Sequence, residues 1–170
     1  MTDEEAAETY EYIKKVDYFT GIKSMDFDEA VNSGLIEYMG QDVIESFLDE
    51  VQKQCVNPGI CEKAGLKVIY TPLNGTGNKP VRRILSRIGV KDIYIVPEQE
   101  NPDGNFPTCP YPNPEIRQAF ELALKVAEGN DADILLATDP DCDRVGIAVN
   151  DGNGKFELMS GNEVGAMLLN

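Results

Sequence analysis

Histidine is absent from all 170 residues of the sequence. Within this chain, that absence excludes catalytic triads that pair serine or cysteine with histidine, and metal centres that depend on imidazole ligands. The four cysteines, Cys55, Cys61, Cys109 and Cys142, form no Cys-x-x-Cys pair and no regular disulfide framework. Scattered cysteines in a domain of this size are typical of reduced thiols, so we expect a cytoplasmic protein.

Long apolar runs and basic clusters are missing as well. No run of 18 or more apolar residues occurs, and the acidic start MTDEEAAETYEYIKK lacks the apolar region of a secretory signal. The formal net charge is -15, and residues 1–50 hold 14 of the 30 acidic residues but only 3 of the 15 basic ones. Because an acidic surface repels phosphate backbones, we expect no nucleic-acid partner, and we expect no membrane partner either.

Helix-like and strand-like segments alternate along the chain. Short apolar or β-branched runs predict strands at residues 67–72, 92–97, 134–138, 144–150 and 155–159. Helix-forming patterns occupy residues 3–16, 41–54, 80–89 and 114–130, with one short helix within 17–39 and another beginning at 161. The proline-rich residues 98–114 predict a long loop. This alternation predicts an α/β fold, a three-layer α/β/α sandwich whose mixed, mostly parallel sheet ends in a hairpin at the DGNG turn.

The segment ATDPDCDRVGIAV places three aspartates at every second position. In extended backbone Asp139, Asp141 and Asp143 face one side, but a straight strand would spread the outer pair by roughly 13 Å, too far for one ion. The segment must therefore curl, and Pro140 suits a bend after the preceding strand. Three carboxylates this close repel one another unless a cation lies among them, and oxygen ligands favour Mg²⁺ over zinc. Arg144 adds a guanidinium that suits a phosphate oxygen beside the metal.

Three other interpretations of this segment are available. The simplest is a solvated acidic turn between two strands, since aspartate is common in turns. An EF-hand loop needs glycine at its sixth position and glutamate at its twelfth, where this chain has Arg144 and Asn150, so that class is excluded. A magnesium-dependent DxD phosphatase of the haloacid-dehalogenase type, with Asp139 as nucleophile, stays open, although its motif does not usually continue with Cys-Asp-Arg.

ATDPDCDRVGIAV also resembles the magnesium loop of the α-D-phosphohexomutases, the phosphoglucomutase/phosphomannomutase family, whose usual form is DPDADR. Three further segments, VIYTPLNGTG, FPTCPYPNPE and GNEVGAMLLN, resemble segments of the same family in the expected order. The resemblance covers the chain from about Gln41 onward. The loop departs from the family form only in Cys142, a small neutral residue where alanine is usual.

The resemblance implies an activity and a site. It implies that Asp139, Asp141 and Asp143 bind Mg²⁺, that Asp143 and Arg144 lie where phosphate and substrate bind, and that Arg144 contacts the transferring phosphoryl group as the catalytic residue. In this family a phosphoserine in another domain passes its phosphoryl group to a hexose 1- or 6-phosphate, through a hexose bisphosphate. The expected activity of the parent protein is therefore that of an isomerase acting on hexose phosphates.

The resemblance also implies a domain organisation. Residues 1–40 correspond to the tail of a preceding domain and a connector, residues 41–160 to the α/β/α metal-loop domain, and residues 161–170 to the start of a next domain. The serine nucleophile, sugar-loop and phosphate-loop motifs of the family do not occur in this sequence. We therefore expect the other domains of its parent chain as partners and no turnover by the isolated chain. A non-catalytic homologue that binds sugar phosphate stays open as an alternative.

Overall fold

The computed structural model describes residues 1–169. Contacts divide the chain into two units, Met1–Gln41 and Asp42–Asn170. Asn170, the last residue of the segment expected to begin a next domain, lies outside the described residues. Within residues 1–169, no helix has both the length and the apolar character needed to cross a lipid bilayer.

The first unit contains two helices that begin at side-chain caps. Helix α1 spans Asp3–Ile13 and starts with a capping box, in which the hydroxyl of Thr2 and the carboxylate of Glu5 accept each other's backbone N–H. Helix α2 spans Phe27–Asn32, and the carboxylate of Asp26 accepts the N–H groups at its start. The single short helix expected within residues 17–39 is therefore confirmed, and α1 is shorter than predicted.

Five strands form one open sheet. They are β1 (Lys67–Thr71), β2 (Asp92–Ile95), β3 (Ile134–Thr138), β4 (Val145–Asn150) and β5 (Phe156–Met159). Their order is β2-β1-β3-β4-β5. Strand β1 pairs in parallel with β2 and β3, whereas β4 pairs antiparallel with both β3 and β5. The predicted mixed sheet and its terminal hairpin are confirmed.

The sheet is less parallel than predicted, because half of its strand pairs are antiparallel. The aspartate segment between β3 and β4 is too short for the crossover that parallel neighbours require, so the chain turns straight back. The functional segment is therefore itself a hairpin connection. It lies at the sheet edge where the carboxyl end of β3 meets the amino end of β4.

Five further α-helices lie from Gln41 onward. They are α3 (Gln41–Lys53), α4 (Ile60–Ala64), α5 (Asn78–Arg87), α6 (Glu121–Ala127) and α7 (Gly161–Leu168). The sequence did not indicate α4, which lies between two glycines with left-handed backbone, Gly59 and Gly65. Helix α6 is shorter than the predicted 114–130, because Arg117–Phe120 form a 3-10 helix ahead of it.

Helices cover both faces of the sheet. On one face, α6 and the preceding 3-10 helix join a buried apolar cluster that includes Ile69, Phe120, Ala123 and Leu135. Burying a side chain such as Leu135 contributes about 1.5–3 kcal/mol. The side chains of successive residues in β1 point to opposite faces of the sheet, so the buried Tyr70 faces the other side from Ile69.

That opposite face is covered by α5, and α3 lies beside α5. An ideal Cβ placed on Gly77 would lie 2.6 Å from the hydroxyl of Tyr70, so the start of α5 lies against this face. Glu45 of α3 pairs with Arg83 and Arg87 of α5, and Arg87 Nη1 also bonds Asp49 at 2.7 Å. Helices on both faces of a central sheet confirm the predicted three-layer α/β/α architecture.

The long loop between β2 and α6 is held by side-chain amides rather than by regular structure. Asn74 Nδ2 donates to the carbonyls of Glu98 and Asn101, at 3.3 and 2.8 Å. The buried Gln99 accepts from Thr71 Oγ1 at 2.7 Å and donates to Thr108 Oγ1 at 3.1 Å. These bonds fasten the start of the loop to the sheet edge that carries the aspartates, and Thr108 is tied to that start through Gln99.

Replacing Gln99 with leucine is expected to destabilise the chain by about 1–3 kcal/mol, because the buried hydroxyl of Thr71 loses its acceptor while the side-chain volume is retained. Hydrogen exchange should accelerate more across residues 98–114 than in β4, where only the loss of global stability contributes. The matched control is Gln118→Leu, at an exposed position. Equal exchange in the two variants would contradict an anchoring role for Gln99.

Candidate metal centre

Residues 139–144, the aspartate turn, are held in a closed turn by their own backbone hydrogen bonds. Asp139 N–H donates to the carbonyl of Arg144 at 3.3 Å, and Cys142 N–H donates to the carbonyl of Asp139 at 3.0 Å. Cys142 has a φ of 65°, a left-handed conformation that few side chains adopt. The strands on either side are paired up to Thr138 and Val145. The turn therefore curls tightly at the end of a rigid hairpin.

The curl brings the three carboxylates together. One oxygen each from Asp139, Asp141 and Asp143 lies within 4.8 Å of the other two. Oxygens on opposite sides of one Mg²⁺ ion, each about 2.1 Å from it, lie about 4.2 Å apart, so a movement of a few tenths of an ångström would let all three bind one ion. Asp141 and Asp143 are exposed and free to make that movement. The donor set is all oxygen and fits a hard divalent cation.

Asp139 is the fixed member of the group. It is fully buried, and Oδ1 accepts the backbone N–H of Arg144 at 2.9 Å while Oδ2 accepts Nε–H at 2.8 Å. Burial by itself would raise the pKa of Asp139, but the hydrogen bonds from Arg144 outweigh it and lower the pKa below its usual range. Asp139 is therefore held as a carboxylate.

Asp143 experiences the opposite balance. Its interactions with the carboxylates of Asp139 and Asp141 raise its pKa above the usual range. The turn thus holds more negative charge than Arg144 neutralises. A bound cation would relieve this repulsion, which favours metal binding over an empty acidic turn.

Arg144 faces both the carboxylates and solvent. Its guanidinium is about half-exposed, with Nε bonded to Asp139 and 3.7 Å from Asp143 Oδ1. The hydrogen bond to Asp139 raises the pKa of Arg144 further above its already high value. Among residues 1–169 its two terminal nitrogens make no hydrogen bond. They remain available to an anionic oxygen, which a guanidinium binds in a fork geometry.

The turn after β1 packs against the aspartate turn and donates hydrogen bonds to it. Thr76 donates to the carbonyl of Pro140 through its N–H at 2.8 Å and its hydroxyl at 3.2 Å. An ideal Cβ on Gly75 would lie 2.4 Å from Pro140 Cα, so only glycine permits this approach. The sequence showed the NGTG turn but not its partner. The signal was that β1 and β3 are both followed by turns at the same sheet edge.

Cys142 lies partly buried in the same turn. An ideal Cβ on Gly77 would come within 2.9 Å of its Sγ, so the side chain points toward the start of α5. Burial, reinforced by the three aspartates, raises the pKa of the thiol. A thiol in this state is a weak nucleophile, consistent with its interpretation as a spacer.

A cleft of about 310 Å³ opens beside the turn. Two segments line it, the aspartate turn with Asp139, Pro140, Asp141 and Arg144, and the long loop with Tyr111, Pro112 and Asn113. Asp143 does not line it. No local pattern in the sequence predicted that residues 111–113 would line the same cleft as the aspartates, because residues 114–138 separate the two segments.

Known proteins resemble this chain in sequence. The family model described as "Phosphoglucomutase/phosphomannomutase, alpha/beta/alpha domain II" matches residues 45–153. A phosphoglucomutase of Staphylococcus saprophyticus is 37% identical over 169 residues, which cover 99% of this chain and 30% of that protein. A phosphoribomutase of Saccharomyces cerevisiae is 39% identical over 152 residues, which cover 82% of this chain and 24% of that protein.

A solved structure shares the fold. The crystal structure of a phosphoglucomutase/phosphomannomutase family protein from Burkholderia thailandensis aligns with 68% of this chain and 22% of its own chain, with a TM-score of 0.53 and 20% sequence identity. At that identity the likeness concerns the fold alone. This chain spans less than a third of the length of the two curated relatives.

Proposed function

The chain belongs to the phosphoglucomutase/phosphomannomutase family, and from that premise we propose that it is the magnesium-loop domain of a phosphohexomutase. Residues 41–160 form this domain, residues 1–40 are the tail of a preceding domain with a connector, and residues 161–170 begin the next. The family match to residues 45–153 supports this division. The parent protein interconverts hexose 1-phosphate and hexose 6-phosphate through a phosphoserine on another domain.

The observation that carries the proposal is the convergence of three carboxylates beside a guanidinium with unused donors. Asp139, Asp141 and Asp143 would hold Mg²⁺, which would supply positive charge next to the transferred phosphoryl group. Arg144 binds a phosphoryl oxygen through its terminal nitrogens. Asp139 orients Arg144, because its buried carboxylate fixes both the backbone N–H and Nε of that residue.

The placement of Arg144 supports an electrostatic role. Phosphoryl transfer spreads negative charge over the oxygens of the transferred group, so catalysis depends largely on positioning and charge stabilisation. Because Arg144 is already held by Asp139, it loses little side-chain freedom when it binds the phosphoryl group. Asp143, beside it and exposed, contributes to the same phosphate and substrate site.

The test is conversion of glucose 1-phosphate to glucose 6-phosphate by the full-length parent in the presence of Mg²⁺. Asp141→Asn should lower the rate by about 100-fold or more, because it removes a carboxylate from the metal site. The matched control, Asp92→Asn, removes an exposed charge from β2 and should leave the rate unchanged. The 170-residue chain alone should show no turnover.

Two results would contradict the proposal in different ways. An inactive parent, tried also on mannose and ribose phosphates, would favour a non-catalytic homologue that binds sugar phosphate. Recovery of a phosphorylated Asp139 would favour a DxD phosphatase, because the mutase carries its phosphoryl group on serine.

A further inference from the structure

Within residues 1–169, the lining of the cleft includes a hydrogen-bond donor without a partner. Asn113 lines the cleft with Tyr111 and Pro112. Its Oδ1 accepts the N–H of Glu115 at 3.0 Å. Because only the oxygen of the amide can accept that bond, Nδ2 lies on the other side of the group. Within residues 1–169, Nδ2 has no hydrogen-bond acceptor.

The backbone around Asn113 is fixed. Its N–H donates to the carbonyl of Tyr111 at 2.8 Å, and its own carbonyl accepts from Ile116 at 3.2 Å. Pro112 and Pro114 restrict the chain on either side. The carboxamide is thereby oriented before any ligand arrives, so a ligand that binds it would lose little affinity to ordering.

The chemistry of the cleft limits what Nδ2 can bind there. The carboxylates of Asp139 and Asp141 are acceptors that line the same cleft, and the proposed metal would engage them. Arg144 supplies donors only. A phosphoryl group offers several anionic oxygens, so one can face Arg144 while another faces Asn113.

We propose that Nδ2 of Asn113 donates a hydrogen bond to an oxygen of the phosphoryl group bound in this cleft, in addition to the guanidinium of Arg144. The inference rests on the proposed function, which places a phosphoryl group beside the aspartate turn. It adds a neutral donor that helps to set the orientation of that group. It also assigns a role to a loop that is otherwise structural.

NMR observes this donor directly, because a side-chain NH₂ gives its own pair of signals. The ¹⁵N-labelled 170-residue chain would be titrated, with Mg²⁺ in excess, with inorganic phosphate, glucose 1-phosphate and glucose. The Asn113 pair is the one missing from the spectrum of Asn113→Ser. We expect it to shift with both phosphates, together with the signals of Asp139 to Arg144, and not with glucose.

Affinity gives a second, independent readout. Serine at position 113 retains a short oxygen that can accept the N–H of Glu115 but lacks the longer amide donor. We expect Asn113→Ser to weaken glucose 1-phosphate binding about tenfold, as for loss of one hydrogen bond to a charged group. Affinity for Mg²⁺ alone should change less than about twofold. The matched control, Asn101→Ser, alters an exposed side chain and should bind as wild type does.

The outcomes separate this inference from the proposed function. If the signals of Asp139 to Arg144 respond to phosphate while the Asn113 pair stays still, or if Asn113→Ser binds with unchanged affinity, the inference is wrong and the metal site stands. If the aspartate turn responds to neither Mg²⁺ nor any phosphate, the proposed function fails, and the inference fails with it.

Discussion

Gly146→Ala is expected to destabilise the chain by about 3 kcal/mol or more, the upper end of the range for overpacking a buried site. An ideal Cβ on Gly146 would lie 2.0 Å from the carbonyl oxygen of Pro114 and 2.8 Å from its carbon. Both are backbone atoms, so no side-chain rotation can relieve the clash. Gly146 does not have positive φ, so the cause is lack of space rather than backbone conformation.

The backbone on both sides of this contact is held in place. Gly146 lies in β4, paired with Ala137 of β3 beside the aspartate turn. Pro114 is buried and ends the loop segment that lines the cleft. An added methyl group must therefore move the loop off the sheet or distort the hairpin. Either movement displaces Asn113 relative to Arg144, so ligand binding should suffer together with stability.

Thermal or urea unfolding checks this prediction. For a domain of this size, about 3 kcal/mol corresponds to a fall in Tm of roughly 10 °C. Gly104→Ala is the matched control, because an ideal Cβ there meets nothing within 4 Å and the backbone has no positive φ. That variant should unfold close to wild type. Similar Tm values for the two variants would show that the loop does not lie against β4.

The sequence predicted the elements better than their connections. All five strands occur where β-branched and apolar runs predicted them, because both faces of a central strand must be apolar to be buried. The short connection from 139 to 144 already required antiparallel pairing of β3 and β4, but the alternation of helices and strands outweighed it. Helix α4 has five residues and no amphipathic repeat, so its pattern predicted nothing.

Within the site, the sequence predicted the residues that are close together in the chain. It missed the residues that only the tertiary structure brings to the aspartates. The alternating aspartates and Arg144 needed only a local curl to converge. Asn113 reaches the same edge through the anchored loop, which no local pattern encodes, whereas Gly75 reaches it through strand order. Glycine pairs after one parallel strand were a usable signal, because the carboxyl ends of parallel strands meet at one edge.

Substitutions of Asp139 and Asp141 are expected to differ in their effect on the unfolding free energy. Asp139→Asn should lower the unfolding free energy by about 2 kcal/mol or more without any metal present. The amide replaces one buried acceptor oxygen with a donor, which then faces an N–H of Arg144. Asp141→Asn should leave the metal-free stability close to wild type, because its carboxylate is exposed and its removal reduces repulsion with Asp143.

Adding Mg²⁺ should separate wild type from Asp141→Asn by the stabilisation that the metal gives. A ligand that binds only the folded chain stabilises it by about 2.7 kcal/mol at a hundredfold excess over its Kd. Wild type should therefore gain Tm with rising Mg²⁺, and Asp141→Asn should lose most of that gain despite its normal metal-free Tm. Asp92→Asn serves again as the exposed control and should respond as wild type does. An equal Mg²⁺ response in Asp141→Asn would exclude its carboxylate as a ligand.

Acid should separate the structural role of Asp139 from the metal role that it shares. The folded chain lowers the pKa of Asp139, so the stability that its carboxylate contributes is present above the unfolded pKa of about 3.9 and is lost as pH falls through the folded value. The deficit of Asp139→Asn relative to wild type should therefore be constant near neutral pH and shrink below about pH 4. A deficit that persists unchanged at pH 2 would mean that the amide disrupts packing, and that the ion pair with Arg144 does not stabilise the turn.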